Sequence, residues 1–150
     1  ELQRTQQTAE QAQLAMGTQL PIRPLAIFNE INYGPDEFQE EAVVVARVGQ
    51  EAMKDWEEHA IVPKGWQFNP EQTIAHWQEF ANQMQRDFHG QTILVVTSNG
   101  IARFTPYLTG DFNTFSKQHT IKLATGAFGV FEEIPEDGIW QCLEWNTKPC

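Results

Sequence analysis

The chain has 150 residues, of which 41% are hydrophobic, and its 20 acidic and 10 basic side chains give a net charge of −10. This length and composition exclude a disordered chain and predict a single globular domain over residues 1–150. The charge excludes an extended basic face, and no apolar run could span a bilayer, so we expect neither a nucleic acid nor a membrane partner.

The first third of the chain is predicted to hold a helix, a short apolar run and a loop. Leu2–Met16 reads as a helix that stops at Gly17. Leu25–Phe28 is a short apolar run between polar residues. The Asn, Gly and Pro residues of Asn29–Pro35 indicate a loop directly after it.

Two longer amphipathic helices are predicted next. Asp36–His59 carries apolar residues at spacings of three and four, which predicts one long helix with a kink near Gly49. Asn69 is a predicted N-cap with proline at the first helical position, and the second helix covers Pro70–Phe88.

The segment Gln91–Thr97 is the strongest sign of a ligand-binding edge. Ile93–Val96 are consecutive apolar residues, mostly β-branched, and predict a short strand buried on both faces. The turn Ser98–Gly100 follows at its carboxyl end and precedes a predicted helix. Open α/β sheets bind ligands at such an edge, and a helix N-terminus favours an anion there. The alternative is an ordinary strand-to-helix turn.

The last third of the chain is predicted to be rich in strands. A helix covers Ile101–Leu108 and a turn covers 109–113. Three strands are then predicted: Thr120–Ala124, Phe128–Ile134 and Ile139–Asn146. The Pro-Glu-Asp-Gly turn at 135–138 joins the last two as a hairpin. Helices that alternate with strands before a β-rich end predict a three-layer α/β domain with a mixed sheet.

The two cysteines give no sign of a disulfide framework or a metal site. Cys142 falls within the last predicted strand and Cys150 ends the sequence. No paired Cys or His spacing indicates a zinc site. We therefore expect a cytoplasmic protein with no bound metal and no cofactor.

Several charged or polar residues stand where an apolar element ends. Arg4, in the first turn of a helix, opposes the helix dipole unless an anion is bound nearby; the alternative is a solvated arginine. Glu30 follows the apolar run and could act as a general acid, or be a solvated loop residue. The Asn99 amide can donate and accept hydrogen bonds but cannot act as a strong nucleophile or transfer a proton. Arg103 could assist an anion or lie on a solvated helix face.

Three segments together resemble the histidine phosphatase superfamily, which includes the cofactor-dependent phosphoglycerate mutases. Residues 1–9 resemble its Leu-x-Arg-Thr-x-x-Thr-Ala helix, and residues 28–34 resemble its Leu-x-Glu-x-x-Tyr/Phe-Gly loop. Residues 95–100 resemble its Val-Val-Ser-His-Gly strand end. The order and spacing of the three segments also fit. The resemblance implies a phosphoglycerate mutase-like α/β/α sandwich with a mostly parallel mixed sheet.

The resemblance also implies residue roles for phosphoryl transfer through a phosphohistidine. Arg4 would clamp the transferred phosphoryl group, and Glu30 would give a proton to the leaving group. Tyr33 would line the substrate entrance. Asn99 and Gly100 would contact the phosphoryl oxygens, with Asn99 in the place of the second active-site histidine of the family.

The sequence departs from the family pattern at two points. The opening strand that ends in Arg-His-Gly, and carries the nucleophilic histidine, has no counterpart, because none of the four histidines stands in that context: His59, His76, His89 and His119. Asn99 is neutral where the family has an ionisable residue. Without the opening strand, which is central in the family, its neighbours are expected to have unpaired backbone groups. A truncated N-terminus, a separate N-terminal piece or a strand exchanged between chains would explain the gap.

Two hypotheses follow from the sequence. The first is a phosphatase that acts on a small phosphorylated metabolite or binds inorganic phosphate once the upstream segment is present; the 150 residues alone are expected to show no turnover. A phosphatase is favoured over a mutase because the longer insertions of the mutases are not evident. The second is a catalytically inactive relative that binds a phosphate ligand or a protein. The oligomeric state is left open, with a homo-oligomer as one option.

Overall fold

The computed structural model describes residues 3–149, which form six helices and two strands. The helices are α1 Gln3–Met16, α2 Glu41–Val48, α3 Gln50–His59, α4 Pro70–Asp87, α5 Asn99–Ala102 and α6 Phe112–Gln118. The strands are β1 Phe128–Ile134 and β2 Ile139–Thr147. Short 3-10 turns lie at Ala26–Phe28, Gly34–Asp36 and Thr105–Thr109. Within this part of the chain, no helix has both the length and the apolar character needed to cross a bilayer.

The elements with strong local signals form as predicted. Helix α1 ends at Gly17, whose φ of 64° needs a residue without a β-carbon clash. Helix α4 begins at its predicted cap, where the Asn69 side chain accepts a hydrogen bond from the Gln72 N–H at 3.1 Å. Strands β1 and β2 pair as an antiparallel hairpin across the predicted turn. Leu2, in the predicted first helix, lies outside the described residues.

The helix predicted over Asp36–His59 is two helices with a different start. The break falls at Gly49, near the predicted kink, because its φ of 92° and ψ of 154° are outside the helical region. Helix α2 begins only at Glu41. Asp36 belongs instead to a 3-10 turn, where its buried carboxylate binds Arg47. It is therefore not the first residue of a helix.

The strand predicted at Gln91–Thr97 is wrong for this structure. The segment has no regular secondary structure, and the backbone of Thr92–Thr97 makes no backbone hydrogen bond to any other part of residues 3–149. Leu94 is 60% exposed, so the segment is not buried on both faces. A strand is stabilised only by a neighbour that pairs with it, and no such neighbour lies among the described residues.

The strand predicted at Thr120–Ala124 is also wrong. Single side-chain contacts anchor this segment: the Trp145 indole N–H donates to the Thr120 carbonyl at 2.7 Å, and the Ala124 N–H donates to Asn146 Oδ1 at 2.7 Å. Helix α6, which was not predicted, precedes it and is capped by the Asp111 side chain. The described chain therefore has a two-stranded antiparallel sheet, and the mostly parallel sheet of a three-layer sandwich is not seen in it.

The core is a cluster of aromatic and aliphatic side chains between α3, α4 and β2. Phe104 is fully buried and packs on the rings of Phe68, 5.4 Å away, and Trp56, 6.2 Å away. Ile101 and Ala102 are buried just before it. The helix predicted at Ile101–Leu108 is divided into α5 and a 3-10 turn. These two elements lead the chain from the polar turn at 98–100 directly into this core.

Candidate functional site

Glu30 lies where the loop after the first 3-10 turn meets the turn at 98–100. Its Oε1 atom accepts hydrogen bonds from the Ser98 hydroxyl at 2.8 Å, from the Ile31 N–H at 3.1 Å and from the Tyr33 hydroxyl at 3.2 Å. All hydrogen bonds that the described residues make to this carboxylate fall on that one oxygen. The carboxylate is therefore held in one orientation, with its second oxygen left for a ligand.

Gly100 allows the close approach of the two segments. A β-carbon at this position would lie 2.7 Å from Glu30 Oε1 and 3.1 Å from the Tyr33 hydroxyl. Nearby, the Thr97 hydroxyl donates to the Phe28 carbonyl at 2.9 Å and ties the same two segments together. Gly100, predicted from the sequence to bind phosphate, must therefore be a glycine in this structure, because any side chain would displace Glu30 or Tyr33.

Tyr33 is a hydrogen-bond donor that stays protonated. Burial raises the pKa of Tyr33, and the nearby Glu30 carboxylate raises it further. The hydroxyl proton therefore remains available to Glu30 throughout the physiological range. The ring packs edge-on against Trp66, with 4.8 Å between ring centroids.

Asn99 carries an unsatisfied acceptor. Its side-chain Oδ1 atom is buried and has no hydrogen-bond partner among the described residues. A buried oxygen without a donor destabilises the folded protein by about 1–3 kcal/mol unless a ligand or water supplies one. Asn99 also begins α5, directly between the Ser98 hydroxyl and Gly100. Asn99 therefore has a side-chain acceptor that no described residue satisfies, next to Ser98, which donates to Glu30.

Arg103 is a buried cation, so of its two alternatives the solvated helix face does not hold, and the role of assisting an anion stays a prediction. Its exposed fraction is 3%, and its Nη1 donates to the Trp56 carbonyl at 2.8 Å. The guanidinium carbon lies 3.8 Å from the centre of the Trp56 ring, a cation–π geometry. Its Nε has no partner among the described residues, and no carboxylate lies within 4.0 Å of it.

The charge of Arg103 persists at neutral pH. Burial lowers the pKa of Arg103 to about 10, while Tyr33, Glu57 and Glu30, in decreasing order, favour the charged form. A pKa of about 10 leaves the guanidinium protonated at pH 7. A positive charge therefore lies in the same region as Glu30 and Tyr33, and among the described residues it forms no ion pair.

Arg4 is not brought to this cluster by any contact among residues 3–149. It is exposed on α1, a helix with no buried residue. Its hydrogen bond is local, since the Thr8 hydroxyl donates to the Arg4 carbonyl at 2.8 Å. Its role as a phosphate clamp stays a prediction. No hydrogen bond or ion pair in the described chain links any histidine to Glu30 either.

The structure adds residues that sequence reasoning did not identify as part of the site. Asp36 and Trp66 lie just behind Tyr33, where the Trp66 indole N–H donates to Asp36 Oδ2 at 2.7 Å. Asp36 was interpreted as the start of a helix. The Gly-Pro-Asp sequence that places Asp36 in a tight turn was the signal available for it.

The comparisons with known proteins support the family suggested by the motifs. The sequence over residues 1–148 matches the family model described as the histidine phosphatase superfamily (branch 1). No curated protein and no solved structure matches the chain. The match covers nearly all of the 150 residues, including the segments that hold Arg4, Glu30 and Asn99. The chain therefore belongs to the histidine phosphatase superfamily, branch 1.

Proposed function

We propose that this chain belongs to a phosphoglycerate mutase-like phosphatase that hydrolyses a small phosphorylated metabolite through a phosphohistidine. The observation that carries the proposal is the Glu30 carboxylate, held by Ser98 and Tyr33 against Gly100 with one oxygen free. General acid catalysis needs a carboxyl group with a defined orientation next to the leaving oxygen. Membership of the family supports the phosphoryl-transfer chemistry.

In this proposal, each residue around Glu30 contributes one contact or charge to the binding of a phosphoryl group. Asn99 and the Gly100 backbone contact the phosphoryl oxygens, and Tyr33 lines the path of the substrate. Arg103 supplies a fixed positive charge behind them, since it is buried and not paired with a carboxylate. Arg4 completes the clamp by a bidentate contact, the geometry in which a guanidinium binds phosphate best.

The reaction proceeds in two steps. In the first step, the bond between phosphorus and the substrate oxygen breaks while a bond from phosphorus to a histidine nitrogen forms, and the leaving oxygen takes a proton from Glu30. In the second step, a water oxygen bonds to phosphorus, the phosphorus–nitrogen bond breaks, and Glu30 takes back a proton from the water. The products are an alcohol and inorganic phosphate.

The nucleophilic histidine belongs, in this proposal, to an additional strand outside the 150 residues. The segment Thr92–Thr97 supports this part of the proposal, because its backbone groups have no partner among residues 3–149 and the side chains of Ile93 and Leu94 are exposed. A neighbouring strand would pair with these groups and cover Leu94. Strand β1 is likewise paired on one side alone, with β2, in the described chain.

Hydrolysis of p-nitrophenyl phosphate and of an alkyl phosphate tests the proposal on protein expressed with its native upstream sequence. Glu30→Gln is expected to reduce hydrolysis of the alkyl phosphate by about 100-fold or more, the usual contribution of a general acid. The matched control is Glu136→Gln, which removes the same charge from an exposed turn. Equal activity of Glu30→Gln and the wild type towards both substrates would overturn the proposal.

A second candidate is a catalytically inactive relative that binds a phosphate ligand. The specific observation in its favour is Asn99, a neutral residue that cannot supply the charge stabilisation of a histidine. Turnover of p-nitrophenyl phosphate separates the two, since both candidates predict phosphate binding by calorimetry and the phosphatase alone predicts turnover. Turnover that is abolished by substituting an upstream histidine would exclude the inactive relative.

A further inference from the structure

We propose that Asp36, Arg47 and Trp66 form a positioning unit that orients Glu30 through the ring and hydroxyl of Tyr33. The inference rests on the proposed function, in which Glu30 gives a proton to the leaving oxygen. Among the described residues, none of the three makes a hydrogen bond or ion pair with Glu30. They act by fixing the Tyr33 ring, so we refer to them as the positioning unit.

The centre of the unit is the Asp36 carboxylate, whose side chain is 2% exposed. Its Oδ1 accepts from Arg47 Nε at 2.7 Å, and its Oδ2 accepts from Arg47 Nη2 and from the Trp66 indole N–H, the latter at 2.7 Å. Arg47 thus binds the carboxylate through two parallel N–H groups, the arrangement with the best-defined geometry. The orientation of the carboxylate in turn determines the orientation of the indole.

The loop that carries Asp36 and the loop that carries Trp66 are held together on both sides of Trp66. Arg47 Nη1 donates to the Lys64 carbonyl at 2.9 Å, and the Gln67 N–H donates to the Asn32 carbonyl at 2.9 Å. At Gly34 a β-carbon would lie 2.3 Å from the Gly65 carbonyl oxygen, so the two loop backbones touch directly. The indole therefore cannot shift without separating the loops.

The indole transmits this fixed position to the rings that hold the site. Trp66 packs edge-on against Tyr33, at 4.8 Å and 86°, and against Trp56, at 5.1 Å and 80°. Tyr33 donates its hydroxyl proton to Glu30, and Trp56 carries the guanidinium of Arg103. One partly buried ring thus contacts both supports, that of the carboxylate and that of the cation.

A positioning role predicts an effect that depends on the leaving group. A general acid matters most when the leaving oxygen is strongly basic, and its contribution falls steeply with displacements of about 1 Å. Loss of the unit should therefore harm hydrolysis of an alkyl phosphate much more than that of p-nitrophenyl phosphate, whose leaving group departs without protonation. A loss of folded protein would reduce both rates by the same factor.

The variants Asp36→Asn and Trp66→Phe test this in the protein with its native upstream sequence. For alkyl phosphate we expect kcat to fall about 10-fold or more, with p-nitrophenyl phosphate hydrolysis within about twofold of the wild type. Trp66→Phe keeps an aromatic ring but loses the N–H together with the five-membered part of the indole. Trp145→Phe is the matched control, since it also loses an indole N–H hydrogen bond, to the Thr120 carbonyl, and should leave the ratio unchanged.

A spectroscopic readout tests the position of Tyr33 without any turnover. The chain has two tyrosines, so Tyr107→Phe leaves 3-fluorotyrosine at position 33 alone for ¹⁹F NMR. We expect the ¹⁹F resonance to move in Asp36→Asn and in Trp66→Phe, and to stay in place in Trp145→Phe. An unmoved resonance in both unit variants would overturn the inference.

The two proposals fail in different ways. If Glu30→Gln shows the leaving-group effect while the two unit variants match Trp145→Phe, the positioning inference is wrong and the proposed function stands. If Glu30→Gln shows no such effect, the proposed function is wrong, and the ¹⁹F resonance alone decides whether Asp36 and Trp66 position Tyr33.

Discussion

Of the two stretches on either side of the Ser98–Gly100 turn, the more apolar one is the more exposed. Thr92–Thr97 is the more apolar stretch, yet Leu94 is 60% exposed, whereas Ile101–Phe104 contains an arginine and is buried throughout. The second stretch packs against the rings of the core, and the first has no pairing neighbour in the described chain. The comparison shows that burial depends on what covers a segment rather than on how apolar the segment is.

The largest effect is expected at the buried side of this comparison. Phe104→Ala should lower the free energy of unfolding by about 4 kcal/mol, because it leaves a cavity among packed rings. Urea unfolding followed by tryptophan fluorescence measures it. The control is Phe38→Ala, the same change at a fully exposed ring, which is expected to alter stability by less than about 0.5 kcal/mol. Similar losses in the two variants would contradict the burial of Phe104.

Asp36→Asn tests whether hydrogen bonds between buried polar groups also stabilise the packed part of the molecule. The expected loss is about 2 kcal/mol, since the charged acceptor of three hydrogen bonds is neutralised. The Arg47 guanidinium, and to a lesser extent the Trp66 indole, hold the pKa of Asp36 below its ordinary 3.8. A lowered pKa in the folded state means that this stabilisation is present above about pH 4 and is lost as the pH falls further.

The wild type should therefore lose stability below about pH 4 more steeply than Asp36→Asn, which lacks this carboxylate. Urea unfolding between pH 2 and pH 7 measures the difference. Asp137→Asn, at an exposed turn, is the control and should follow the wild type. Parallel pH profiles for the wild type and Asp36→Asn would show that the pair does not stabilise the fold.

Gly100→Ala tests the turn that separates the two stretches. The added β-carbon would lie 2.7 Å from Glu30 Oε1, and we expect a loss of about 1.5 kcal/mol. In a Glu30→Ala background the same change should lose much less, because the contacting atom is gone. A double-mutant cycle of unfolding free energies measures this coupling. Additive effects of the two substitutions would contradict the close approach.

The smallest effect is expected on the uncovered side. Leu94→Ala in the 150-residue chain should change stability by less than about 0.5 kcal/mol, because its side chain is mostly exposed. In protein with its native upstream sequence, the same substitution should lose about 2 kcal/mol or more if a strand covers Leu94 there. Urea unfolding of both proteins makes the comparison, and an equal small effect would count against strand pairing at this segment.

Local signals allowed part of the fold to be predicted. Asn69 before a proline identified the start of α4, and the turn at 135–138 identified the hairpin of β1 and β2. These signals act within a few residues, so they hold whatever surrounds them. The strands predicted at Gln91–Thr97 and Thr120–Ala124 were wrong because pairing depends on a distant neighbour.

The candidate site shows the same division. Glu30, Tyr33 and Gly100 were selected from family motifs, and the structure brings them into contact. The bond between Glu30 and Ser98 joins residues 68 positions apart, which no local pattern could predict. Arg4 was selected in the same way, and it makes no contact with the others among residues 3–149.

By itself the sequence determined the family, the helix caps and the hairpin, because these are written in short ordered motifs that do not depend on distant contacts. The tertiary structure alone decided that Arg103 is buried, that Asp36 binds Arg47 and Trp66, and that Leu94 is exposed. Burial and ion pairing depend on groups that come from distant parts of the chain. For Asp36 and Trp66, the close packing of their two loops at Gly34 and Gly65 brings these groups together.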